Sequence, residues 1–99
     1  MKLATTTEDF SRYCKHNEER LECIARAGFR YVDLSQYTER DNPEIYGCDN
    51  WRDNVKRLGE KAKSLGLTFV QSHSPGLNPF EGDRYEHVVD MVKRSIEVC

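Results

Sequence analysis

Residues 68–76 read Thr-Phe-Val-Gln-Ser-His-Ser-Pro-Gly and pass from a short apolar run into a polar cluster centred on His73. The first three residues favour strands, whereas Pro75 cannot continue a hydrogen-bonded ladder and Gly76 lets the backbone turn. The pattern predicts a buried strand, residues 67–72, that ends beside His73. Parallel α/β proteins place functional side chains at the carboxyl ends of their strands, so His73 is a candidate site residue.

Two earlier segments share this design. Residues 2–6 open apolar and end in threonines, and residues 31–35, Tyr-Val-Asp-Leu-Ser, place β-prone residues before a polar end. Both are predicted to be strands. The sequence therefore predicts three short strands, each ending in hydroxyl or charged side chains.

Apolar residues at helical spacing follow each predicted strand. In the first helix Leu21, Ile24 and Ala25 share a face, Asn17 is the expected N-cap, and Gly28 is the expected left-handed stop. The second helix has a stripe at steps of four and three residues, ended by Gly66. That stripe comprises Trp51, Val55, Leu58, Ala62 and Leu65.

The third helix is expected to begin at an Asp-x-x-Glu capping box, Asp83 to Glu86. Its inward face is predicted to contain Tyr85, Val88, Val89, Val92 and Ile96. The long connection 36–50 is polar and contains Pro43 and Gly47, so no element is expected there.

The resulting order is βαβαβα, an α/β fold with parallel strands. The two α-to-β joins are short and all three β-to-α connections are long. Right-handed crossovers bring these long connections to the carboxyl ends of the strands, which is the functional end of such folds.

A three-stranded parallel sheet leaves both edges bare, and the hydrophobic content of 37% is low beside 32% charged residues. Parallel sheets need cover on both faces or closure into a barrel. We therefore expect residues 1–99 to be the N-terminal portion of one larger domain.

The composition also narrows the functional classes. A formal net charge of -2 with mixed signs disfavours nucleic acid and membrane surfaces as partners. No apolar run approaches a membrane span and the start does not resemble a signal peptide, so a cytoplasmic location is expected. The four cysteines show no C-x-x-C pair and are interpreted as reduced thiols.

The strand ends together supply the candidate binding residues, which are Thr6, Asp33, Ser35 and His73. Alternation puts Asp33 and Ser35 on one face of their strand. His73 could be a metal ligand, a proton shuttle or a hydrogen-bonding partner of a substrate hydroxyl, and spacing does not separate these roles. A loop-stabilising histidine is the plainer alternative. His16 and His87 are expected to be solvated surface residues.

Three segments together resemble the opening of the xylose isomerase-like barrels, the superfamily of sugar phosphate isomerases and epimerases and of endonuclease IV. They are Ala-Gly-Phe-Arg-Tyr-Val-Asp-Leu (27–34), Leu-Gly-Leu-Thr-Phe (65–69) and Ser-His-Ser-Pro (72–75). The order and spacing match over nearly the whole chain. In that family the second strand often ends in an acid, more often Glu than Asp, and the third in a histidine, the positions of Asp33 and His73.

The resemblance implies the first three units of a (β/α)8 TIM barrel that shifts a proton or hydride between adjacent carbons of a sugar or hydroxy-ketone. It also implies a divalent metal ion (Zn, Mn, Mg or Co), with most ligands on later strands and His73 as one possible ligand. The expected small-molecule partner is a sugar or sugar phosphate. Residues 1–99 alone are expected to be inactive.

Two alternatives stay open. One is a zinc-dependent abasic-site endonuclease relative, although the acidic connection 36–50 disfavours binding to DNA. The other is a non-catalytic α/β module with an open flavodoxin-like sheet that binds a partner or forms a homo-oligomer through its strand edges.

Overall fold

The fold was analysed in a computed structural model that describes residues 2–99. Its three strands are β1 (Ala4–Thr6), β2 (Tyr31–Ser35) and β3 (Thr68–His73). They form one parallel sheet in the order β1-β2-β3. The predicted α/β order and parallel sheet are therefore confirmed.

Four α-helices and a 3-10 helix accompany the sheet. The 3-10 helix is Thr7–Phe10, and the α-helices are α1 (Asn17–Arg26), α2 (Pro43–Tyr46), α3 (Trp51–Ser64) and α4 (Tyr85–Val98). The 3-10 helix and α2 were not predicted. Within residues 2–99, no helix combines the length and apolar character needed to cross a bilayer.

Two left-handed glycines end the helices that precede β2 and β3. Gly28 has φ +93° and Gly66 has φ +72°, a region in which a side chain is strained. Each glycine comes directly after the C-cap residue of its helix, so the chain enters the next strand after only a few residues. Both glycine stops predicted from the sequence are confirmed.

The main core lies on one face of the sheet, between the strands and helices α1 and α3. It contains Val32 and Leu34 from β2, with Leu21, Ile24, Leu58, Ala62 and Leu67. The predicted α3 stripe is confirmed: Leu58 and Ala62 are each 2% exposed and Trp51 is 5% exposed.

A second core explains why α4 turns a different face inward from the one predicted. Met91 packs with Ile45 and Tyr46 of α2 and with Trp51 of α3. Because the sequence did not reveal α2, it did not reveal this partner either.

The residues buried in α4 are Val88, Met91 and Ser95. Tyr85 is 53% exposed and Ile96 is 68% exposed, so these two inward assignments were wrong. The predicted capping box, Asp83 to Glu86, was also wrong. Arg84 is the N-cap residue, and no side chain within residues 2–99 caps the helix.

Strand β3 is an edge strand, and the expectation that it would be buried was wrong. It has a neighbour on one side only, and four of its six residues are exposed. Its pairing with β2 shifts register between Val32 and Asp33, where Val32 pairs with Phe69 but Asp33 pairs with Gln71. Val70 is thus an extra residue at a β-bulge, and it is 55% exposed.

Asn17 was expected to be the N-cap of α1, and this prediction was wrong. His16 is the N-cap residue, and Asn17 is buried. Its amide nitrogen Nδ2 donates to Asn42 Oδ1 at 2.9 Å and to Glu44 Oε1 at 2.6 Å. Asn17 therefore joins the start of α1 to the connection that contains α2.

Arg20 extends this junction and is only 2% exposed. Its Nε donates to Cys14 O at 3.0 Å, its Nη2 to Lys15 O at 3.1 Å, and its Nη1 to Asp41 O at 2.8 Å. Nη1 also donates to Asn17 Oδ1 at 3.1 Å. One buried guanidinium thus holds the β1–α1 connection against the β2–α2 connection.

We predict that Gly66→Ala lowers the free energy of unfolding by about 1–2 kcal/mol, because alanine is strained at positive φ. Gly59 is the matched control, since it lies inside α3 with nothing within 4 Å of an added Cβ. Gly59→Ala should raise the free energy of unfolding by about 0.5–1 kcal/mol. Urea denaturation measures both free energies of unfolding. An equal change in the two variants would contradict the left-handed conformation of Gly66.

Arg20→Lys should lower the free energy of unfolding by about 2–4 kcal/mol, because an ammonium cannot reproduce the forked set of donors and leaves carbonyls unpaired. Arg26→Lys, on the exposed end of the same helix, is the control and should leave stability nearly unchanged. Similar denaturation midpoints for the two variants would show that the hydrogen bonds of Arg20 do not contribute to the stability of the fold.

Candidate functional site

The face of the sheet opposite the main core carries the candidate site. Asp33 pairs in register with Thr6 on one side and with Gln71 on the other, and Ser35 pairs with His73. Residues in register on neighbouring strands point to the same side. Gln71 and His73 are exposed, so this polar face is open over the described part of the chain.

Asp33 and His73 are in direct contact on that face. Asp33 Oδ2 lies 2.7 Å from His73 Nδ1, with side-chain exposures of 17% for the aspartate and 54% for the histidine. The carboxylate is thus mostly enclosed by protein, while the imidazole projects into the open. An enclosed carboxylate behind an accessible imidazole fixes the orientation of the ring.

Asp33 determines which nitrogen of the neutral ring carries the proton, because a carboxylate only accepts and His73 Nδ1–H therefore donates to Asp33 Oδ2. Gln71 Nε2 lies 3.2 Å from His73 Nε2. In this tautomer Nε2 is an acceptor for the Gln71 amide nitrogen. His73 consequently presents Nε2 as a hydrogen-bond acceptor at the open face, beside the Gln71 side chain.

The second oxygen of Asp33 lacks a hydrogen-bond partner. Oδ1 is buried and finds no donor within residues 2–99. Buried carboxylate oxygens are normally satisfied, and exceptions occur at functional sites. Within residues 2–99, Asp33 Oδ1 is therefore an unused acceptor next to the contact with His73.

Thr6 and Ser35 are turned toward the 3-10 helix. Thr6 Oγ1 accepts from the Glu8 amide at 3.3 Å, while Ser35 Oγ donates to Glu8 Oε2 at 3.4 Å. The Ser35 amide donates to Thr7 Oγ1 at 3.0 Å. These two candidates border the Asp33–His73 pair and hold the strand ends to the 3-10 helix; their side-chain hydrogen bonds within residues 2–99 go to Glu8 and not to the pair.

A buried glutamine supports the carboxyl ends of β2 and β3. Gln36 is fully buried; its Nε2 donates to Ser72 Oγ at 2.7 Å and its backbone amide donates to His73 O at 2.9 Å. Tyr46 Oη donates to Gln36 Oε1 at 3.3 Å. Burial raises the pKa of Tyr46, which keeps this hydroxyl protonated as a donor.

Sequence reasoning therefore found Asp33 and His73 but missed Gln71, Gln36 and Glu8. Gln71 lies two residues before His73, yet the bulge at Val70 decides that both face Asp33. His16 and His87 are exposed, as expected, and His87 Nε2 lies 3.1 Å from Glu39 Oε2.

The described residues do not by themselves complete a metal site. Across residues 2–99, no group of three or more His, Cys, Asp or Glu side chains is arranged to hold a metal ion. His73 Nε2 offers one ligand atom, oriented by the Asp33 carboxylate as in many metal-binding histidines.

Comparison with known proteins identifies no relative. No protein-family model matches the sequence, and no curated protein or solved structure matches it significantly. The proposals below therefore depend on the geometry of the chain and on its resemblance in sequence.

We predict that Asp33→Ala removes the preference of the neutral His73 ring for hydrogen on Nδ1. In the unaltered protein, nitrogen NMR of the neutral ring should show hydrogen on Nδ1, because Asp33 accepts from it. The variant should show a mixture shifted toward hydrogen on Nε2. His87, which pairs with Glu39, is an internal control whose signals should not move. An unchanged His73 spectrum would contradict the pairing.

Proposed function

We propose that the chain supplies the first three β/α units of a (β/α)8 barrel of the xylose isomerase-like kind, and that this barrel isomerises or epimerises a sugar or sugar phosphate. The single observation that carries the proposal is the 2.7 Å contact between Asp33 Oδ2 and His73 Nδ1 on the open polar face. The pair has the arrangement of a general base held in one tautomer by a carboxylate.

The polarity of the open face favours a closed barrel over an open doubly wound sheet. A doubly wound sheet needs apolar residues on both faces because helices cover both. Here the second face bears Thr6, Asp33, Gln71 and His73 near the strand ends, side chains suited to a lined pocket. The free edge of β3 and the exposed Ile96 on α4 are suited to packing against a fourth unit.

The proposed chemistry is proton transfer between adjacent carbons. His73 Nε2 accepts a proton from the carbon next to a substrate carbonyl, and the electron pair moves into an enediolate. The Asp33 carboxylate stabilises the imidazolium that forms. In an isomerisation His73 then returns the proton to the neighbouring carbon, while the hydroxyl proton passes from one oxygen to the other. In an epimerisation a second acid, from outside residues 2–99, would protonate the opposite face of the same carbon, and His73 would keep the proton that it removed.

A divalent metal ion, if bound, would supply Lewis-acid stabilisation of the developing oxyanion. His73 is the residue of this chain that could contribute a ligand. The remaining ligands would come from beyond the described residues.

The test uses the gene product that contains these 99 residues, incubated in D2O with a panel of aldose and ketose phosphates. Proton NMR should show deuterium entering one substrate at the carbon beside the carbonyl. His73→Gln should slow this exchange by about 10²- to 10⁴-fold, the usual contribution of a general base. No exchange with any sugar or sugar phosphate of the panel would refute the proposed reaction.

The control is His87→Gln, the same substitution at an exposed histidine outside the open face. It should leave the exchange rate unchanged. Metal content is measured in both variants: loss of metal in His73→Gln alone would assign His73 as a ligand. Loss of exchange with metal retained would assign it as the base. If neither property changed, His73 would have no role in the activity.

A further inference from the structure

The side chains of Cys14 and Cys23 are in direct contact. Their sulfur atoms are 3.2 Å apart. Cys14 precedes α1 and is 8% exposed, whereas Cys23 lies within α1 and is partly exposed. Nothing in the sequence spacing suggested this pair, since the residues are nine positions apart and follow no motif.

The backbone around Cys14 is fixed by several hydrogen bonds. The Cys14 amide donates to Phe10 O at 3.0 Å, and the Cys14 carbonyl accepts from the buried Arg20 Nε at 3.0 Å. The two sulfurs are therefore held together by the fold. Closing a bond of about 2.05 Å from this separation needs a combined shift of only about 1 Å.

The other two thiols provide a contrast. Cys48 Sγ donates to Pro43 O at 3.5 Å, and Cys99 Sγ donates to Ser95 O at 3.3 Å. Each contacts a backbone carbonyl of its own local segment. Cys14 and Cys23 form the one sulfur–sulfur contact in the part of the chain that the structure describes.

We propose that Cys14 and Cys23 form a reversible intramolecular disulfide, with a small disulfide such as oxidised glutathione as the two-electron oxidant. The two protein thiols are oxidised to one disulfide, and the glutathione disulfide is reduced to two glutathione thiols. The pair is thus a modification site distinct from Asp33 and His73.

The exposure and the protonation of the two thiols determine which of them attacks the oxidant first. The hydrogen bond to Cys23 and then burial raise the pKa of Cys14, so its thiol is the poorer first nucleophile. Cys23, the more accessible thiol, loses its proton to solvent and attacks the oxidant, releasing one glutathione thiolate. Cys14 then loses its proton and attacks the Cys23 sulfur, releasing the second.

The disulfide would close a short loop that includes the first turns of α1. That loop contains Lys15, Asn17 and Arg20, which join the β1–α1 connection to the β2–α2 connection. A crosslink restricts the unfolded chain, and for a loop of this length the melting temperature should rise by roughly 10 °C. Oxidation would therefore stabilise the junction without adding a contact at the open face.

The experiment treats the folded protein with oxidised glutathione and counts thiols before and after. Two of the four cysteines should become unreactive, and peptide mapping should find residue 14 linked to residue 23. The melting temperature should rise, and dithiothreitol should reverse both changes. The Cys48→Ser variant is the matched control, and two of its three remaining thiols should become unreactive.

Cys14→Ala removes the resolving thiol and should leave glutathione attached at Cys23. Circular dichroism checks that this variant is folded, and Cys14→Ser replaces it if it is not. Persistent glutathione adducts on the unaltered protein, or links that involve Cys48 or Cys99, would overturn the proposal. A disulfide between residues 14 and 23 that left the melting temperature unchanged would overturn its stabilising role.

Discussion

The junction around Arg20 is the interaction on which the rest of the structure depends. A buried guanidinium is costly to desolvate, and its partners here are backbone carbonyls and the Asn17 side-chain oxygen. Within residues 2–99 no carboxylate pairs with it. Backbone carbonyls cannot be relocated without moving the chain. The arginine therefore fixes the two long connections at the same end of the sheet, and local propensity alone would not fix either of them.

The candidate site lies at the same end of the sheet as that junction. The 3-10 helix that follows β1 lies against the end of β2 through Thr7 and Glu8, which bond to Ser35. From the other side, Gln36 ties the end of β2 to the end of β3. Asp33 and His73 are thus held between two buried polar contacts, which accounts for their close approach on an otherwise open face.

The sequence predicted the elements whose cause is local and missed those whose cause is tertiary. Strand β2 and helix α3 follow from apolar spacing and from the glycine stops, and the approach of Asp33 and His73 follows from where parallel strands end. Helix α2 is only four residues long, and it forms because Ile45 and Tyr46 are buried against Trp51 and Met91. The role of Asn17 was missed for a similar reason, since the partners of its Nδ2 lie 25 and 27 positions away.

The bulge at Val70 has a consequence for reading related sequences. Strict alternation along β3 would put Phe69, Gln71 and His73 on one face, yet Phe69 packs against the core and the other two point away from it. The extra residue at the bulge is what turns the imidazole outward. A homologue with the same number of residues here but a regular strand would point this histidine at the core, whereas a homologue that has lost the extra residue would keep it on the open face without a bulge.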